Sequence, residues 1–429
     1  MSKTNQISLF AAIFMNVNIM LSTGAVVNTA ILAQRTGILG SLCYLIAALF
    51  MLPLILTFAE LLDIHPGGNL YTFGSKQLNK LSGFMNAWVY SVGKLASVSL
   101  MIHVVSSFIQ VLIPALGSIP TIFIDAIIIG LYTFLNMFGI QTGKQIQLIF
   151  LSIKISFVSF IILLGLTFFN SGNLAPNYWI WSGIPYTIPL VAYTFTGFAV
   201  ACSISQHIKN PKKNAPLAIL ISFGIVVLLT TLYQMMFFAA SGPQLFNVTN
   251  YTQIFPILLN STIGTGTQLS AYTLKFLNIT VASASLGGAY GLMFANTWNF
   301  HSLAINDHLI FSSMFKKLNR FHIPAACLII QAIICLIFLY TGGNNQIPFQ
   351  QTATFASVFA YTLSAIALIR YRMKSKKNII LPGLGFLSSI TLLVFTFKNF
   401  FETEMLGLIW LSVIILFGLI MYFIKQPKN

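Results

Sequence analysis

The chain has 429 residues, of which 57% are hydrophobic and 7% charged. A soluble domain usually carries about a quarter charged residues, and 22 basic with 6 acidic side chains cannot cover a soluble fold of this size. The formal charge of +16 does not indicate nucleic-acid binding, which needs bases on one solvated face. Here they lie in short stretches between long apolar runs, which excludes a soluble enzyme, a disordered chain and a nucleic-acid binder and leaves a polytopic membrane protein.

About 20 apolar residues span a bilayer, and segments this long cross it as helices. Twelve runs have that character: 8–33, 40–62, 83–113, 119–139, 147–169, 181–206, 216–240, 270–300, 323–340, 350–370, 379–398 and 405–424. The expected fold is all-α, a single transmembrane domain with about 12 helices. The first run is too long for a signal-peptide core and no A-x-A site follows it, so no cleavable leader is expected. Cys43, Cys202, Cys327 and Cys335 all fall inside apolar runs and read as small hydrophobes.

With the N-terminus inside, the bases from Lys3 to Lys428 fall on the inner side except Arg35, Lys275 and Lys398, which lie outside, and Lys94 and Lys154, which lie within runs. This asymmetry places both termini in the cytoplasm. The many Phe, Ile, Lys and Asn residues and few acids suggest an AT-rich bacterial genome, hence the cell inner membrane. The N-x-T sequons at Asn247, Asn250 and Asn260 then read as chance in an Asn-rich loop.

The first run reads Asn18-Ile19-Met20-Leu21-Ser22-Thr23-Gly24, and the sixth Tyr193-Thr194-Phe195-Thr196-Gly197-Phe198-Ala199. Both place Ser or Thr with Gly at the centre of an apolar span. Small residues also make helix-packing faces. However, the first and sixth runs are where the halves of a five-plus-five inverted repeat would begin, here 7–169 and 181–371, with two further helices in 379–424. Transporters unwind helices at such points to bind a solute. Half-helix N-termini suit a carboxylate and carbonyl ends suit an ammonium, so a broken pair fits the common part of an amino acid. Asn18, Ile19, Met20, Ser22, Thr23 and Gly24, with Tyr193, Thr194, Phe195, Thr196, Gly197 and Phe198, are the candidate substrate-binding residues.

Along most of its length the chain resembles the amino acid–polyamine–organocation (APC) transporters. Asn18-Ile19-Met20 followed by Ser22 is similar to the family's N-I-M-G-S-G stretch. Pro66-Gly67-Gly68-Asn69-Leu70-Tyr71, then Gly83-Phe84 and Trp88, resemble its P-x-G-G-x-Y and G-F-x-x-x-W segments. Asn136 and Gly139, followed by Gln147, resemble its N-x-x-G, and Gly197-Phe198 its G-F-E. Lys209-Asn210-Pro211-Lys212-Lys213-Asn214-Ala215-Pro216 is similar to K-N-P-K-R-N-x-P and is the most specific match. The resemblance implies amino acid transport and makes Tyr193 similar to an aromatic outer gate. Two departures stand out. Leu21 and Thr23 replace the two glycines of G-S-G, which would shift the break onto Gly24. Ala199 replaces the family's glutamate, so a coupling or gating role for that acid does not carry over.

A lysine at mid-span costs about 2.5–3.5 kcal/mol on insertion scales. Lys154 resembles a lysine that relatives use in place of a sodium ion where spans one, five and eight meet; the alternative is snorkelling to the inner surface. Lys94 lies deeper, where relatives carry a polar residue facing the substrate side chain. It would favour an acidic side chain or hold a proton; the alternative is a lysine paired with a carbonyl. His103 reads as a satisfied core histidine, Glu60 and Asp63 as partners of loop bases, and Asp307-His308 as no metal site for want of a third ligand.

The function expected is secondary amino acid transport, by proton symport or by exchange with an amino acid or amine, without sodium. The expected partners are an amino acid and the bilayer, with a proton where transport is by symport. No cofactor, metal or nucleic acid is expected. Six scattered acids and six histidines form no cluster for an intramembrane enzyme, and no repeated filter motif indicates a channel.

Overall fold

In a computed structural model, described over residues 6–402 and 405–425, the chain is all-helical apart from two isolated β-bridges. Lys3 and Lys428 of the inner set lie outside the described residues. Twelve helical segments are long and apolar enough to cross a membrane. They are span 1 (Leu9–Thr36), span 2 (Gly40–Ile64), span 3 (Lys80–Leu112), span 4 (Thr121–Phe138), span 5 (Ile140–Thr167), span 6 (Trp181–Ser203), span 7 (Pro211–Asn247), span 8 (Gln268–Ile305), span 9 (Ala325–Gly342), span 10 (Gln346–Lys374), span 11 (Ile380–Glu402) and span 12 (Leu406–Lys425). With twelve such segments, Leu9 at the start of span 1 and Lys425 at the end of span 12 lie on one face, called here the terminal face.

Spans 1 and 6 form the centre: 89% and 83% of their most apolar windows are buried, against 28% for span 11. Span 1 packs on spans 5, 7 and 8, and span 6 on spans 2 and 10. Span 3 lies between spans 8 and 10, while spans 11 and 12 close the outside against spans 2, 3 and 10. Apolar burial gives little drive to association within lipid, so small residues must let backbones approach. Between spans 3 and 10, a Cβ on Gly93 would lie 2.2 Å from the Ala356 Cβ.

The motifs that carry the resemblance have local structural jobs. Asn69 caps a short helix, Leu70–Gln77, its Oδ1 accepting from Thr72 N–H at 3.1 Å. Gly67 makes the turn before it at φ +76°. Pro211 starts span 7 in the first helical turn, where its missing N–H costs nothing. Glu60 pairs with Arg372 through both oxygens, at 2.7 and 2.5 Å, as expected of it. Asp63 is exposed and forms no ion pair among the described residues.

Candidate substrate site between spans 1 and 6

Span 1 divides into half-helix 1a (Leu9–Met20) and half-helix 1b (Thr23–Thr36). The break falls at Leu21 and Ser22, whose ψ angles of 55° and −144° leave the helix. It is therefore not shifted onto Gly24, which already lies in the first turn of 1b; chain direction changes without a glycine at the break itself. Half-helix 1b begins without a side-chain cap, so its first N–H groups lack helical partners. Thr23, whose side chain stands beside them, is buried.

Span 6 is interrupted differently. Half-helix 6a (Ile184–Phe195) tightens into a 3₁₀ turn, Thr196–Ala199, before half-helix 6b (Val200–Ser203). Two carbonyls are taken up there: Thr196 Oγ1 donates to Tyr193 O at 2.7 Å, and Tyr361 of span 10 donates from its hydroxyl to Thr196 O at 2.6 Å.

The two interruptions touch. A Cβ on Gly197 would lie 2.9 Å from Met20 Cγ and 3.2 Å from Met20 Cα. A Cβ on Gly24 would lie 2.7 Å from Thr194 Oγ1 and 3.1 Å from the Tyr193 ring. A Cβ on Gly288 of span 8 would lie as close to Ser22, 2.7 Å from its Cβ. Gly24 thus abuts Thr194 and Tyr193, and Gly197 abuts Met20. The Asn18 side chain does not join them: its Nδ2 donates to Gln147 Oε1 (3.0 Å) and Gly287 O (3.1 Å), towards spans 5 and 8. Phe195 turns to Tyr44 and Phe223, and Phe198 to Phe58 and Tyr361. Ile19 is buried.

Both mid-span lysines are buried. Lys154 does not snorkel: its Nζ donates to Asn18 O at 2.5 Å, in the last turn of 1a. Lys94 Nζ donates to Thr196 Oγ1 at 2.5 Å and lies 6.0 Å from the centres of the Tyr90 and Tyr193 rings. Its partner is a hydroxyl rather than a carbonyl, and no carboxylate pairs with it among the described residues. The Tyr193 hydroxyl shares a 2.7 Å hydrogen bond with Ser97 Oγ of span 3, one turn from Lys94. On the face away from the termini, a cavity of about 490 Å³ runs along 1b as far as Val27, one turn beyond Gly24.

Two further contributors were not legible from the sequence. Tyr361 and Ser97 sit in apolar runs with no local signal, whereas the Gly287-Gly288 pair at mid-span was a visible sign of close approach. His103 is satisfied by Asp125, Nδ1 to Oδ2 at 3.2 Å, a pairing that sequence spacing does not reveal. Asp307 pairs with Lys316 at 2.5 Å and His308 Nε2 meets the Tyr71 hydroxyl at 3.0 Å; no group of potential metal ligands occurs among the described residues.

Comparison with known proteins agrees with this architecture. The family model described as amino acid permease matches residues 7–424. The low-affinity putrescine importer PlaP of Escherichia coli K12 is 21% identical over 86% of this chain and 83% of its own length. The Asc-type amino acid transporter 1 of Mus musculus is 24% identical over 95% and 76%. The b(0,+)-type amino acid transporter 1 of Homo sapiens is 22% identical over 99% and 88%. With one family model covering nearly the whole of a chain of twelve membrane-crossing helices, this protein belongs to the amino acid permease family and is a membrane transporter, not an enzyme.

Proposed function

We propose that the protein is a sodium-independent secondary transporter of amino acids, working by alternating access around a midplane site between the breaks of spans 1 and 6. The observation that carries this reading is the pairing of Lys154 with the Asn18 carbonyl beside the uncapped start of 1b. A fixed ammonium occupies the carbonyl end of the break, while the N–H end is left for an anion. In this reading the N–H groups of 1b, with Ser22 and Thr23, hold the substrate carboxylate. Carbonyls near Ile19 and Met20 and the span 6 turn take its amino group. Tyr193, bonded to Ser97, closes over it, and Lys94 faces its side chain.

Sodium would have to share the site with Lys154. Two unit charges at 4 Å repel by about 4 kcal/mol at an effective dielectric of 20, which disfavours a second cation. The same repulsion at Lys94 disfavours diamines, so relatives named as amino acid transporters guide the reading more than the one named as a putrescine importer.

The five-plus-five repeat has support in the packing. Exchanging each of spans 1–5 with the span five places later, and each of spans 6–10 with the span five places earlier, turns the 1–5 contact into 6–10, 1–7 into 6–2 and 5–8 into 10–3, and every one of these pairs is in contact. In this reading the terminal face lies in the cytoplasm and the membrane is the cell inner membrane; exposed bases on that face, Lys209, Lys212, Lys374 and Lys377 among them, support it. Exchange is the second reading beside proton symport, favoured by Ala199, which leaves span 6 without an acid.

The test is a panel of radiolabelled amino acids in proteoliposomes, with and without a proton gradient, and with or without amino acids loaded inside. Gradient-driven uptake supports symport, and uptake only against internal amino acid supports exchange. Failure of all amino acids to be taken up or exchanged overturns the proposal.

A further inference from the structure

The terminal face is fastened by main chain. Ile7, just ahead of 1a, lies beside the segment that follows 6b. Its N–H donates to His207 O and its carbonyl accepts from Lys209 N–H, both at 2.8 Å, forming a parallel bridge with Ile208. Ile7 is fully buried. The pairing ties the terminal-face ends of spans 1 and 6 directly, so the half-helices cannot part on that face without breaking it.

The His207 ring lies beneath this latch, 2% exposed and against Trp298 of span 8, with ring centres 4.2 Å apart. Its Nε2 is 3.2 Å from Gln206 Nε2, and its Nδ1 has no hydrogen-bond partner. An amide nitrogen is a donor, so Nε2 accepts and Nδ1 carries the hydrogen. A protonated ring would present two N–H donors with no acceptor for either among the described residues. Turning the Gln206 amide over would serve one of them and still leave Nδ1–H alone. Among the described residues the surroundings add no compensating charge. Span 8 contributes His301, the 65–68 turn contributes His65, and the start of span 7 contributes the exposed bases Lys209, Lys212 and Lys213. The closed latch has a place for the neutral imidazole only.

We propose that His207 is a proton-binding site linked to this latch, so that a proton on its ring and closure of the terminal face exclude one another. The meaning of this for transport rests on the alternating-access reading above, but the linkage itself needs no substrate. Burial, with His301 second, pushes the His207 pKa down to about 4, whereas an imidazole released into water titrates at about 6.5. The open form therefore binds the proton more tightly. Closure is at full strength above about pH 6.5, and the ratio of open to closed rises about tenfold per pH unit as the pH falls from there towards about 4.

Hydrogen exchange on the full-length protein in lipid nanodiscs tests this at pH 7.5 and 5.0, corrected for intrinsic exchange. The reporters are the Ile7 and Lys209 amides, both donors in the latch. In the wild type their opening should increase about 30-fold at the lower pH. In H207Q both should stay protected at either pH, and in H301Q the wild-type pH response should persist. A wild type with no pH response, or a response that survives in H207Q or vanishes in H301Q, would overturn the proposal. So would H207Q amides that are unprotected at pH 7.5, because the ring would then hold the latch by packing alone. The readout contains no substrate, so it fails or succeeds apart from the transport assay.

Discussion

Lys154 Nζ lies 2.5 Å from the carbonyl oxygen of Asn18, joining the middle of span 5 to the last turn of half-helix 1a. That carbonyl is one of those a helix end leaves without a partner, and a cation there also opposes the negative end of the helix dipole. Replacing sodium by choline should leave wild-type uptake unchanged. Lys154→Ala should lose gradient-driven accumulation, because the carbonyl end then lacks its cation. A steep sodium requirement in the wild type would refute the assignment.

Gly24 should not tolerate a branched side chain. Its Cβ position is already 2.7 Å from Thr194 Oγ1, and overpacking of this kind costs about 1–3 kcal/mol. Gly24→Val is expected to express normally and to bind substrate at least about fivefold more weakly, with loss of binding the fuller outcome. Unaltered affinity in an equilibrium binding assay would remove the site from this junction.

Lys94 donates to Thr196 Oγ1 and has no carboxylate partner among the described residues. Lys94→Gln separates two roles. If the ammonium reads the side chain, the variant should lose glutamate and aspartate and gain neutral substrates such as glutamine. If it carries the transported proton, specificity should hold while uptake loses its pH dependence. No change in either measurement would make Lys94 structural and end the acidic-substrate idea.

On the face away from the termini, a Cβ on Gly183 would lie 1.9 Å from Arg35 O. Gly183→Ala should force the ends of spans 1 and 6 apart there. A cysteine placed at Val27, which lines the cavity on that face, should then react several-fold faster with a membrane-impermeant thiol reagent than in the Gly183 background. Equal rates would show that this contact does not restrain the entrance.

The twelve crossings were readable because lipid demands long uninterrupted apolar stretches, a signal that survives without homologues. Span 1 was marked as broken by Ser22, Thr23 and Gly24, yet the break falls at Leu21 and Ser22; which residue leaves the helix depends on what lies behind it, here Gly288 of span 8. The depth of Lys94 and Lys154 was legible, but their partners were not. A hydroxyl 102 residues away and a carbonyl 136 residues away are matters of tertiary packing. The same holds for Tyr361 and for the His103–Asp125 pair.

The central pair is fastened at both ends by isolated bridges, Ile7 with Ile208 and Gly37 with Trp179, and the two fastenings would age differently under mutation. At the terminal face the bonds are main chain to main chain, so a scan of Lys209 should accept almost every residue except proline, which has no N–H to give. At the other face the chains cross where Gly37, at φ +60°, and Gly183 have no room for a Cβ, which would sit 1.8 Å from Tyr178 O and 1.9 Å from Arg35 O. Those two positions should accept nothing larger than glycine. Lineages descending from this chain can therefore drift at Lys209 while remaining frozen at Gly37 and Gly183.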